Sequence, residues 1–146
     1  MSIRELTAIN IVDSLKEIDD PRPVLVTREP FDVEKLAITQ FPALLVQQTT
    51  ETRQTITMGT PGLGRRQGTM TFEIRGFVRG TELDTRRNYL IEAVEDALDA
   101  DRYRDQRPQG VMDTQIVSIE IVPRMQPLAE FIITVEVQYN YLRGQQ

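Results

Sequence analysis

Between Gly59 and Gly80 the sequence passes from a glycine-rich run, GTPGLGRRQG, into TMTFEIRGFVRG. The second half alternates. Met70, Phe72, Ile74 and Val78 fall on one side of an extended chain, and Thr71, Glu73, Arg75 and Arg79 on the other. The run RQTITM just before it is also strand-like, so the whole predicts a long β-hairpin with a large loop at its tip. The second arm is expected over 69–79, and the rest of the chain must pack on it or extend it. Gly76 interrupts the apolar phase and predicts a bulge or a close approach. Phe77 sits in the polar phase. It is either an exposed contact residue or a side chain turned inward by a bulge at Gly76.

The flanking segments supply helices and further strands. Ile3, Leu6, Ile9, Val12, Leu15 and Ile18 recur every three residues, widened by Ala8 and Ile11, opposite Arg4, Glu5, Asn10, Asp13, Lys16 and Glu17. This predicts an amphipathic helix over 2–18. Ser2 and Glu5 are spaced for a capping box, Met1 and Leu6 for a hydrophobic staple, and Pro21 and Pro23 stop the helix. A short strand follows at 24–27. The connection 28–40 shows no period and its conformation stays open; Phe31, Val33, Leu36 and Ile38 are its candidate anchors. Residues 42–48 form a strand with Pro42 at its start. Residues 49–52 are either a turn or the middle of one long strand. A second helix is expected over 81–98, capped by Thr81 and Asp84, with Leu83, Leu90, Ile91, Val94, Ala97 and Leu98 on its apolar stripe. A charged loop, 99–110, leads to a strand at 114–122 bearing Val117, Ile119 and Ile121 on one face. The last strand, 129–142, alternates most clearly: Phe131, Ile133, Val135, Val137, Tyr139 and Tyr141 against Ile132, Thr134, Glu136, Gln138 and Asn140.

Two amphipathic helices and several one-faced strands have one economical arrangement. The expected class is α+β, with an antiparallel or mixed sheet, two helices packed on one face and a protruding β-hairpin. The 146 residues suit one domain, 1–146, with no internal repeat or linker. Phe72, Ile74, Val94, Leu98, Ile133 and Val135 are expected to share the core. The other sheet face is then polar, and solvated or bound to a partner.

Composition narrows the chemistry. The chain has no cysteine and no histidine, which removes disulfides, thiolate metal sites and the commonest general base. Net charge is −5, the wrong sign for a protein that binds by neutralising phosphates or anionic lipid. No apolar run is long enough to span a bilayer and no signal peptide is evident, so a soluble intracellular protein without membrane contact is expected. Residues 59–66 imitate a phosphate loop. However, Arg65 and Arg66 replace its lysine and hydroxyl, and a strand follows where a helix is required. A mobile hairpin tip or a docking finger carrying Leu63, Arg65 and Arg66 fits better. Glu92, Glu95 and Asp96 lie one helical turn apart but beside Arg86, Arg87 and Arg102, as on a solvated charged face. Asp99 and Asp101 lack the glycine and spacing of a calcium loop. Without histidine and with only Lys16 and Lys35, no hydroxyl has an evident activating base. No catalytic residue, cofactor or metal is assigned. The residues picked for protein contact are Leu63, Arg65, Arg66, Arg75, Phe77 and Arg79.

The order of elements also resembles a known family. An N-terminal helix, FPALLVQQ, a hairpin ending in TFEIRGFVRG, the helix NYLIEAVEDALDAD and the strand TVEVQYNY are similar to the tail terminator, or tail completion, proteins of long-tailed bacteriophages. The likeness covers nearly the whole chain and is one of pattern rather than of a signature motif. It implies an α+β subunit of a hexameric ring that sits at the neck of the virion tail after assembly in the host cytoplasm. Such a ring caps the tail tube protein, stops tube polymerisation and meets the head completion or connector protein, while DNA passes through the bore. The net negative charge suits a bore that lets DNA pass without stable binding. The family brings no catalytic residues. The alternatives left by the residues are a head-side neck or connector ring protein, a small non-enzymatic α+β binding module, and an enzyme using a carboxylate pair.

Overall fold

The computed structural model describes residues 2–55, 65–101, 104 and 111–142, with 55, 65, 66, 141 and 142 described by backbone alone. Helix α1 spans Ile3–Lys16 and helix α2 spans Leu83–Ala100. The strands are β1 (Leu25–Thr27), β2 (Ala43–Thr55), β3 (Arg65–Arg79), β4 (Val111–Val122) and β5 (Leu128–Leu142). They form one mixed sheet in the order β1-β2-β3-β5-β4, with β1 parallel to β2 and every other pair antiparallel. The architecture is α+β, as expected, with the helices on one face of the sheet and the long β2–β3 and β4–β5 hairpins within it.

β3 is the centre of the sheet. β2 flanks it from Ala43↔Phe77 to Thr55↔Arg66, and β5 from Arg79↔Leu128 to Arg65↔Leu142. The arm that reaches the hairpin tip is therefore three strands wide. β2 is one continuous strand whose register steps between Gln48 and Thr50, so the polar stretch 49–52 is strand and not turn. The tip itself, 56–64, lies outside the described residues.

The core follows the alternation of β3 and β5. Phe72, Ile74, Ile133 and Val135 meet Val94 and Leu98 of α2, all at most 1% exposed. α1 contributes Ala8, Ile11, Val12 and Leu15 at true helical spacing. Leu6 and Ile9, on the three-residue count, drift off that face and are half-buried. Asn10, expected on the polar face, is instead buried; α1 packs against α2 as well as the sheet, and the Asn10 amide donates to Asp101 at 3.4 Å.

Both helix starts depart from the expected boxes. Ser2 Oγ accepts the Glu5 amide at 3.1 Å, but the Glu5 carboxylate takes two bonds from Arg28 at 2.6 and 3.0 Å. At α2 the N-cap is Glu82, in the left-handed region with φ 54 and without a side-chain cap bond, so the Thr81–Asp84 box is not the cap. Asp84 instead pairs with Arg87 one turn on. The other end of α2 is closed by Arg104. Its fully buried guanidinium donates through Nη2 to the carbonyls of Leu98, at 2.6 Å, and Asp101, and through Nε to Thr114 Oγ1 at 3.1 Å. It satisfies carbonyls that the helix leaves open. Burial pulls the Arg104 pKa down, opposed by Asp101 and Asp99.

Gly76 marks a close approach and no bulge, because the β3–β5 register runs without a step. Gly76 faces Phe131, and a Cβ there would lie 2.1 Å from the ring. Gly68, also within β3, faces Tyr139, where a Cβ would lie 2.3 Å from the ring. Both aromatic rings of β5 lie across β3 over a residue that has no side chain.

Candidate assembly surface

The sheet face away from the helices is open along most of β3 and β5 and covered at one end. There the connection 28–41 forms two 3₁₀ turns, Val33–Lys35 and Ile38–Gln40, and lays Val33, Phe31 and Leu36 over Phe77 and Ala43. Phe31 meets Phe77 edge-on, with centroids 5.5 Å apart. Phe77 is 5% exposed, which corrects its assignment as an exposed contact residue. No bulge turns it; it keeps the polar-side phase of β3 and a second small core forms around it.

Beside it lies a buried carboxylate. Glu130 is 2% exposed and accepts from Arg124 Nε at 2.6 Å and Arg75 Nη1 at 3.3 Å. Arg124 also stands 5.7 Å from the Phe77 ring centroid. Arg75 reaches Glu73 at 3.6 Å, so this predicted contact residue is already engaged within the subunit. Arg79 is half-buried at the end of β3. The backbones of Arg65 and Arg66 open β3 opposite Leu142 and Tyr141; their side chains, like Leu63, lie outside what is described. Of the predicted positions whose side chains are described, Arg75 and Phe77 belong to a packed ionic and aromatic cluster and Arg79 lies at the strand end. Glu130 and Arg124 were missed because a carboxylate in the outward phase of a strand carries no sign of the loop that will cover it.

On the helix face, toward the hairpin tip, Glu51 gathers charge. Its carboxylate accepts from Arg4 Nε at 2.9 Å, Arg53 Nη2 at 2.8 Å, Gln48 Nε2 at 3.1 Å and the Tyr139 hydroxyl at 2.9 Å. Burial pushes the Glu51 carboxyl upward, but these donors outweigh it and bring the pKa down to about 2. Burial, and then donation to Glu51, pushes the Tyr139 phenol up to about 12. Four donors for one carboxylate bind the first turn of α1 to the β2–β5 arm.

The two sheet edges differ from this tied interior. β4 is an edge strand whose register steps between Ile116 and Ser118, which sets Ile119 opposite Ile133 and Ile121 opposite Phe131. Ile119 and Ile121 have the core phase, whereas Val117 sits at the step, so the three do not share one face as expected; they are 42%, 46% and 51% exposed, in that order. At the end of β3, beside the start of β2 and the first turns of α2, a hollow of about 290 Å³ is lined by Ile38, Phe41, Pro42, Tyr89, Arg79 and Arg86. A wider cleft of about 620 Å³ between α1 and α2 carries Asp13, Glu17, Asp20, Asp96 and Asp101. Among the described residues no group of acidic side chains is placed to hold a metal ion. Glu92 and Asp96 face solvent on α2.

These features define a class by fold: a small α+β chain built on a mixed five-stranded sheet, whose most developed surfaces are sheet edges. A chain from the virion of a native gene transfer agent particle has a similar fold, with a TM-score of 0.54 and 11% sequence identity over 92% of this chain and 96% of that chain. No protein-family model matches the sequence, and no curated protein is similar to it.

Proposed function

We propose that this chain is a non-enzymatic structural subunit of a phage-like virion, and within it a tail terminator: a ring that caps the tail tube, stops its polymerisation and joins the tail to the head connector. The observation that carries the proposal is the shared fold with a chain of the gene transfer agent virion, which spans nearly all of both chains. The element order of the tail terminator family points the same way, and edges left open on both sides of one sheet are what a subunit needs to join neighbours. The hairpin tip, with Leu63, Arg65 and Arg66, is assigned to contact with the adjoining tube or connector. Replacing both arginines by alanine should leave ring assembly intact and abolish that contact; unchanged binding would remove the tip from the interface.

The decisive experiment is a solution mass combined with negative-stain images. A six-fold ring near six times the subunit's 16.8 kDa is expected. The purified ring should bind tail tubes and block their elongation. A ring that binds only the head-side connector would make the chain a neck protein. A monomer whose melting temperature rises with a small ligand would make it a binding module.

A further inference from the structure

A single groove runs between the two helices. α1 is antiparallel to α2: Asn10 reaches Asp101 at one end, and Pro21, just past α1, lines the hollow with Arg86 and Tyr89 at the other. Arg86, Tyr89, Ala93, Ala97 and Ala100 recur every three or four residues along α2 and so share one stripe. The first two line the hollow and the last three the acidic cleft, while the neighbours Asp20 and Pro21 join cleft and hollow on the other side. At the usual helical rise the stripe from Arg86 to Ala100 is about 21 Å long.

The ends of the groove carry opposite charge. The hollow end has Arg79 and Arg86, neither paired with a carboxylate among the described residues, beside exposed Ile38 and Tyr89. The far end has Asp13, Glu17, Asp96 and Asp101, and no lysine or arginine is among its described lining residues. These carboxylates form no group placed to hold a metal ion. One acceptor at that end lacks a donor. Asn10 is 3% exposed and its amide donates to Asp101, yet its buried Oδ1 has no partner among the described residues. An unmet buried acceptor costs free energy, which a cationic side chain entering the cleft would recover.

We propose that this groove receives an amphipathic helix of another virion protein, with acidic residues in its first turn at Arg79 and Arg86 and lysine or arginine in its last turn at the Asn10 end. A helix favours that polarity by itself, with anions at its N-terminus and cations at its C-terminus. The incoming helix then lies parallel to α2. Ala93, Ala97 and Ala100 permit close approach, and Ile38 and Tyr89 meet its apolar face. The inference rests on the reading of this chain as a virion subunit and adds the chemistry of a partner. A second copy fits less well, because α1 and α2 both turn their apolar faces into their own core.

The probes are two synthetic helical peptides of about 15 residues, the length that spans the groove. One has an acidic first turn, leucines every three or four residues and a basic last turn; in the other the charged turns are exchanged. Both are titrated onto the purified chain and onto the double variant Glu17→Arg/Arg86→Glu, which alters two exposed side chains and is checked for folding by circular dichroism. The ratio of the two affinities is compared between parent and variant, so that any difference in peptide helicity cancels. The parent should prefer the first peptide, and the ratio should move by at least about 10-fold toward the second in the variant. A ratio that does not move, or a parent that binds neither peptide at millimolar concentration, overturns the groove. Peptide binding that weakens as the protein self-associates would give the groove to a second copy and overturn the foreign partner. The ring itself is decided separately, by the solution mass.

Discussion

Tyr139 performs two tasks with one ring. Its body lies over Gly68 and its hydroxyl donates to Glu51. Phe131 repeats the first task over Gly76, where no donor is involved. Gly76→Ala should therefore cost about 1–3 kcal/mol by overpacking, and Phe131→Leu in the same chain should recover part of the loss. Additive losses in urea melts would show that the two residues do not share the space. The Glu51 cluster leads to a dependence on pH. A carboxyl held near 2 against an ordinary 4.5 adds stability above the higher value and loses it as the pH falls toward 2. The phenol works in the opposite sense: its contribution is present below 10 and fades as the pH rises toward 12. Glu51→Gln should flatten the acid limb of stability between about pH 4.5 and 2, costing on the order of 1–3 kcal/mol at neutral pH. An unchanged acid limb would mean that Glu51 is not held in its charged form by these donors.

At the scale of elements, α2 begins under strain. Glu82 occupies φ 54, a conformation that disfavours residues with a Cβ, and its side chain caps nothing. Glu82→Gly should raise stability by about 1 kcal/mol, seen as a melting temperature higher by a few degrees. A lower one would place a stabilising role on the Glu82 side chain. Much of the scaffold was readable because period-2 and period-3.6 patterns record which side is buried. The six expected core residues were found in this way, and β5 was placed to within one residue at its start. Patterns of this kind do not record where a sheet is covered from its other side. The 28–41 connection has no period, so its seal over Phe77 was invisible, and Phe77 was taken for a candidate contact. Bulges hid two further facts. The step after Gln48 falls at the stretch 49–52 that the sequence leaves open between turn and strand, and the step after Ile116 decides which residues of β4 share the core phase. The Glu51–Tyr139 bond joins positions 88 apart, and no local pattern announces it.

For the whole molecule, charge decides how it treats a duplex. With a net charge of −5, and with Arg75, Arg124, Arg4 and Arg53 paired with carboxylates, the subunit offers phosphate no net positive field. The purified protein titrated with linear duplex DNA at low salt should show no binding in the micromolar range; tight binding that weakens steeply with salt would assign a basic lining to the bore of the proposed ring. The strand order has a further consequence, one of timing. β3 occupies the middle of the sheet, yet its second edge is covered only by β5, the last of the five strands to be translated. Among the described strands, β4 pairs with β5 alone. A nascent chain that has already made β4 thus holds it without register until β5 leaves the ribosome. The last edge of the sheet takes shape in the same step that closes its centre, so an incomplete chain presents neither to a partner, by the topology itself.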